Sequence, residues 1–271
     1  MAERKATGPE GMKAGYLRAV ELLREQVESF DVYPFCLPTV RGLERLELHP
    51  AVTFVIGENG TGKSTLLEAV AVAWGFNPEG GSRNMRFATR NSHSPLHDFL
   101  RLIRGASRPR DGFFLRAESF FNLATQLEAM DADPDAQNCP TPPLMSYYGG
   151  RSLHEQSHGE SFFTLFLRRF GAGGLYILDE PEAALSPMRQ MAALARLHEL
   201  VRLGSQFIIA THSPILMAYP NATILQLGEE GIRPVSYTDT EYYAVTREFL
   251  NRHEQMLARL MEEDPPADER Q

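Results

Sequence analysis

Residues 57–76 read GENGTGKSTLLEAVAVAWGF and follow the apolar run AVTFVI at 51–56. The run predicts a buried strand and the residues after Ser64 predict a helix, so the glycines fall on a strand-to-helix turn. Gly57-x4-Gly62-Lys63-Ser64 satisfies the phosphate-loop pattern, in which successive backbone N–H groups and a helix N-terminus cradle the phosphates of a nucleotide. The expected cradle comprises Gly57, Glu58, Asn59, Gly60, Thr61, Gly62, Lys63, Ser64 and Thr65. Lys63 would reach the β and γ phosphates of ATP, and Ser64 would hold Mg²⁺. The plain alternative is a glycine turn between a strand and a helix.

Downstream, LYILDE at 175–180 is an apolar strand that delivers Asp179 and Glu180 at its carboxyl end, where open α/β sheets bind ligands. Asp179 is expected to contact Mg²⁺, usually through water, and Glu180 to orient and deprotonate an attacking water. A further strand, QFIIATHSP at 206–214, ends on Thr211 and His212. An imidazole beside the same sheet edge is a candidate to hydrogen-bond the γ-phosphate or the water. Taken singly, an acidic strand end or a lone histidine is equally compatible with a helix N-terminus or a structural contact.

Composition sets the frame around these stretches. The chain has 271 residues, 43% of them hydrophobic, enough for one large α/β core. No apolar run approaches the roughly eighteen residues of a membrane helix, and the first residues lack an apolar signal core, so a cytoplasmic location without an intrinsic membrane segment is expected. Two cysteines, Cys36 and Cys139, show neither metal-binding nor disulfide spacing. The net charge of −8 leaves room for a local basic face, and one is present at 83–110 with arginines at 83, 86, 90, 101, 104, 108 and 110. That stretch is read either as a contact for nucleic-acid phosphates or as a solvated helical face paired with the protein's own carboxylates.

Along the chain, GYLRAVELLREQVESF at 15–30 is read as an amphipathic helix. GFFLRAES predicts a strand and FFNLATQLEAM a helix, followed by the proline-rich and acidic loop DADPDAQNCPTPP. Ser186 before Pro187 reads as a helix N-cap, ATILQLGEEGIRPVSY as a hairpin, and TEYYAVTREFLNRHEQMLARLM as a closing helix.

One stretch gains meaning from the others. QSHGES at 156–161 stands before an apolar helical run and about twenty residues ahead of the acidic pair. A phosphate loop, then QSHGES, then LYILDEPEAALSP, then ATHSP, in that order, resembles the ATP-binding-cassette ATPases, more closely the cytosolic SMC, RecF and OLD branch than transporter subunits. The chain is similar to small single-domain bacterial ATPases of that type. The resemblance implies an α/β P-loop NTPase with a mixed sheet and a helical signature subdomain, and covers about residues 31–237. It implies that QSHGES, with Ser157, Gly159 and Glu160, is the signature motif that closes over the γ-phosphate of a second protomer. It further implies that Glu118 stands at the metal-facing position where the family has glutamine, and that Ala184, Leu185 and Ser186 cross the dimer seam. Tyr33 and Phe35 are the candidates for adenine stacking.

The expected organisation is an N-terminal helix over 1–30, an ATPase domain over 31–237 with an arginine-rich helical subdomain at about 77–160, a C-terminal helix over 238–262 and a disordered tail over 263–271. The expected function is an Mg²⁺-dependent ATPase. It would act as an ATP-gated homodimer on nucleic acid or an effector protein, in repair or defence. The alternative is the energy-coupling subunit of a membrane transporter.

Overall fold

The computed structural model describes residues 15–83, 94–132 and 158–261. Two sheets organise them. The larger has six strands in the order β5 (Asp111–Arg116), β6 (Gly174–Asp179), β7 (Gln206–Ala210), β3 (Val52–Ile56), β8 (Thr223–Gly228), β9 (Gly231–Val235). All neighbours are parallel except the closing β8–β9 hairpin. Burial on both faces explains why the central strands β3, β6 and β7 are almost wholly apolar.

Period-two alternation divides the strands between two cores. Phe54, Ile56, Phe113, Leu115, Tyr176, Leu178, Phe207 and Ile209 point to one face, where they pack with residues of α3 (Phe120–Ala132), α4 (His158–Arg169) and α5 (Pro187–Arg202). Val55, Phe114, Leu175, Ile177, Ile208 and Ala210 point to the other, against α2 (Lys63–Trp74). Beyond α2 lies the second sheet, three antiparallel strands in the order β2 (Arg45–Glu47), β1 (Leu17–Leu22), β4 (Leu100–Arg104). Short helices α1 (Pro38–Arg41) and α6 (Pro214–Met217) and the long α7 (Glu241–Met261) complete the order.

Two expectations are corrected here. Residues 17–22 form the middle strand of the small sheet, not an N-terminal helix. LRAVEL has helical propensity, but pairing on both sides with β2 and β4 satisfies its backbone groups and buries Leu17, Ala19, Val20 and Leu22, and this tertiary gain overrides a weak local preference. The arginine-rich helical subdomain does not form one unit either. Its residues 100–104 are a strand of the small sheet and 111–116 a strand of the large one. Arg86, Arg90, Cys139, most of the proline-rich loop and the 263–271 tail lie outside the described residues.

Candidate nucleotide site

Parallel pairing brings distant segments to one sheet edge. Val55 pairs with Ala210, Ala210 with Asp179, and Asp179 with Arg116, so four strands end in one row. The turns that follow carry the phosphate loop, Thr211–His212, Glu180 and Glu118 respectively. Such a row at the carboxyl ends of parallel strands is where doubly wound sheets take their ligands.

The loop itself needs its glycines. Gly57 has φ 151°, and a Cβ there would lie 2.6 Å from the carbonyl oxygen of Leu227. Gly62, with φ 99°, turns the chain into α2 from the left-handed region that suits glycine. Lys63 is buried, and its ammonium donates to the carbonyl oxygens of Gly57 at 2.8 Å and Glu58 at 2.9 Å. Burial lowers its pKa, against the opposing pull of Glu180, Asp179 and Glu182. The Thr61 hydroxyl donates to Glu58 O at 2.8 Å, and the Thr39 hydroxyl to Thr61 O.

One residue further, the Ser64 hydroxyl donates to Asp179 Oδ1 at 3.1 Å. Burial pushes the Asp179 carboxyl up to about 6, while Arg116 and the Ser64 hydrogen bond pull it down. A hydroxyl and a buried carboxylate side by side are hard oxygen donors that fit Mg²⁺, which takes few protein ligands and completes its shell with phosphate and water oxygens.

Glu180 follows in the left-handed region, φ 52° and ψ 51°, a conformation that costs a non-glycine residue free energy and is concentrated at functional sites. Its Oε1 lies 3.1 Å from His212 Nε2. The other ring nitrogen, Nδ1, lies 2.7 Å from the Tyr242 hydroxyl, which donates to Gly57 O at 2.8 Å. The backbone N–H of His212 donates to Glu182 Oε1 at 2.5 Å. Burial raises the Glu182 pKa, and its Oε2 is buried without a hydrogen bond among the described residues.

The structure departs from several residue expectations. The Glu118 side chain is 88% exposed and pairs with Arg116 Nη2 at 3.3 Å, and its charge contributes to raising the Asp179 pKa. Arg116 itself has Nη1 2.5 Å from Glu68 Oε2 and Nε 3.4 Å from Asp179 Oδ2. Arg116 ends β5 in register with Asp179, whereas Glu118 lies two residues past the last pair. Leu185 is buried in this chain's own core, so it does not present its side chain to a seam. Ser186 does cap α5, accepting from Arg189 N. Phe35 packs against Phe99 at 4.8 Å in the core, while Tyr33 is exposed with its hydroxyl 3.4 Å from Thr65 Oγ1.

Gly159 and Glu160 lie in the first turn of α4, and Ser157 lies outside the described residues. Glu160 pairs with Arg189 at 3.4 Å, which sets the start of α4 beside the start of α5. Among the arginines of 83–110, Arg101 binds Glu21, and Arg83 and Arg104 approach the Trp74 ring at 5.7 and 4.7 Å. Arg116, Glu182 and Tyr242 were not singled out in the sequence. For Arg116 a signal existed, a charged residue closing an otherwise apolar strand; for Tyr242 none did.

Comparison with known proteins gives two family profiles. One described as "AAA domain" matches residues 28–106, and one described as "AAA domain, putative AbiEii toxin, Type IV TA system" matches 149–218. The chain is 28% identical over 222 residues to the hemin import ATP-binding protein HmuV of Pseudomonas aeruginosa, covering 71% of this chain and 78% of HmuV. Similar solved structures include the SMC head domain from Thermotoga maritima, with 15% identity, TM-score 0.41, and coverage of 81% of this chain and 99% of that one. Another is cbiO1 from Clostridium perfringens, part of the ABC transporter complex cbiONQ, with 17% identity, TM-score 0.41, and coverage of 82% and 91%. Among the described residues no helix is long and apolar enough to cross a membrane. The two AAA-domain profiles and the likeness to HmuV, together with a phosphate loop on the carboxyl edge of a parallel sheet, support an ABC-type P-loop ATPase, an enzyme that binds and hydrolyses ATP.

Proposed function

We propose that this ATPase is an ATP-gated dimer switch that acts on a partner protein or nucleic acid. The observation that carries the reading is the row Val55, Ala210, Asp179, Arg116, because it aligns the phosphate loop, the acidic pair and His212 at one edge. In this reading the loop from Gly57 to Thr65 binds the phosphates, and Lys63 exchanges its loop carbonyls for phosphate oxygens. Ser64 and Asp179 hold Mg²⁺, which when bound with ATP neutralises phosphate charge. Glu180 orients a water and takes its proton, and His212, 3.1 Å away, keeps that carboxylate directed toward the reacting edge.

The dimer rests on the start of α4. Ser157, Gly159 and Glu160 would reach the γ-phosphate of a second copy, and exposed Met188 and Met191 on α5 offer apolar surface near the same seam. The test is the solution mass of Glu180→Gln with Mg-ATP and without nucleotide. An ATP-dependent shift from monomer to dimer is expected; a variant that stays monomeric at micromolar concentration while saturated with ATP would overturn the switch.

The toxin–antitoxin wording of one matched profile supports a role in defence. The exposed arginines 101, 104, 108 and 110 support a nucleic-acid contact, read out as DNA binding that weakens with salt. A second reading, the energy-coupling subunit of a transporter, is favoured by the likeness to HmuV and would show as co-purification with membranes.

A further inference from the structure

Tyr242 belongs to none of the segments that make the nucleotide site. It stands in the first turn of α7, a helix of 21 residues with no buried member, whose Val245, Phe249 and Leu250 are exposed. That first turn is nonetheless held firmly. Buried Thr240 accepts from Tyr243 N at 3.3 Å, and the Tyr243 ring packs on Tyr237 at 4.7 Å. The Tyr242 hydroxyl is thereby set between Gly57 O at 2.8 Å and His212 Nδ1 at 2.7 Å.

A phenol has one proton to donate. With that proton on Gly57 O, the oxygen can only accept from the imidazole, so Nδ1 carries hydrogen; Nε2, 3.1 Å from the Glu180 carboxylate, needs one as well, and the three contacts are satisfied together only by a ring that carries hydrogen on both nitrogens. Burial, with Glu241 and the site carboxylates, raises the Tyr242 pKa, so the phenol stays protonated and able to donate. Gly57 O also accepts from Lys63. Once Lys63 turns to a phosphate, Tyr242 remains to hold that carbonyl.

We propose that Tyr242 is a positioning residue for hydrolysis: it accepts the Nδ1 hydrogen, fixes the orientation of His212 and ties the ring to the phosphate loop. This rests on the reading that His212 and Glu180 serve ATP hydrolysis. A bond that merely docked α7 would change thermal stability without moving the imidazole proton or separating kcat from KM. The residue also gives α7, and anything that moves its first turn, a direct line to the reacting edge.

The test has two parts. In nucleotide-free protein labelled with ¹⁵N-histidine, the His212 signals are assigned by their loss in His212→Gln. Hydrogen on both ring nitrogens is expected in the wild type, with Nδ1 losing its hydrogen in Tyr242→Phe. A bare Nδ1 in the wild type overturns the proposal whether or not the variant folds, and independently of any ATPase activity. In turnover, Tyr242→Phe is expected to lower kcat about tenfold with KM for ATP within about twofold, as when an outer partner of a site histidine is lost. Its combination with Glu180→Gln should still dimerise with ATP. Unchanged kcat in the variant overturns the proposal. A wild type with no ATP-driven dimer but with the expected loss of the Nδ1 hydrogen and of kcat in the variant counts against the dimer switch alone.

Discussion

The carboxyl edge of the central sheet and the open face of the small sheet use the same pairing, arginine against carboxylate, under opposite conditions. On the small sheet Glu21 of β1 binds Arg45 of β2 and Arg101 of β4, with the arginine side chains 46% and 63% exposed. Hydrogen bonding to Arg101, with further help from Arg45, holds the Glu21 carboxyl below its usual range. At the central edge Arg116 stands among Glu68, Glu118 and Asp179, only 17% exposed, and its Nε is buried without a hydrogen bond. There burial dominates, and the Asp179 carboxyl is raised to about 6 despite the adjacent guanidinium. The difference teaches that solvent decides what such a pair is for. In water it tidies strand register; out of water it keeps a costly charge in place for use.

Substitutions sharpen this contrast in order of expected effect. Glu180→Gln removes the proposed base at the central edge and should lower ATP turnover by about 10²–10⁴-fold in a phosphate-release assay, with the fold intact by circular dichroism. Retained turnover would detach the edge from the chemistry. Arg116→Ala removes the guanidinium that Glu68 and Asp179 share and should destabilise the protein by about 3–5 kcal/mol in urea unfolding. A loss near zero would mean that the edge is as well solvated as the small sheet.

Asp179→Asn should act in the opposite direction on stability. With a folded pKa of about 6 against 3.8 unfolded, the folded state holds a proton that the unfolded state releases between those values. Stability supplied by the protonated form is therefore complete below about 3.8 and lost as pH rises through 6, leaving an ionised buried carboxylate at neutral pH. The variant should be more stable than wild type by about 1–3 kcal/mol at pH 7.5 without nucleotide or metal, with the gain vanishing toward pH 4. It should also lose Mg-ATP binding. Glu21→Gln should give the smallest change, a slight drop in melting temperature that disappears as salt is raised from about 0.05 to 0.5 M. A salt-independent loss would show that the small sheet depends on this pair as the central edge depends on Arg116.

Much of the central edge was legible residue by residue. The phosphate loop, the acidic pair after LYIL and the histidine after FIIA each sit where an apolar strand ends, and parallel pairing does the rest. Glu118 was less legible, because a motif position does not say what a side chain past a strand end will pair with. Arg116, two residues earlier, reaches Asp179. The small sheet was less legible. In LRAVEL the apolar residues at 17, 19, 20 and 22 suit a helix or a strand about equally, and only the partners β2 and β4 choose.

The sequence by itself determined the features that depend on contiguous chain. Glycines at 57, 60 and 62 turn a strand into a helix with amides facing inward, and a run such as LYILD must be buried wherever it lies. Tertiary structure alone decided which distant groups meet there: Arg116 with Glu68 and Asp179, and Tyr242 with Gly57 and His212 across 185 and 30 residues. Those contacts leave no local pattern, because a hydrogen bond between remote segments requires only that packing bring them within reach. Propensity and periodicity act over a few residues, whereas the proposed alignment of Glu180 and His212 depends on the whole sheet.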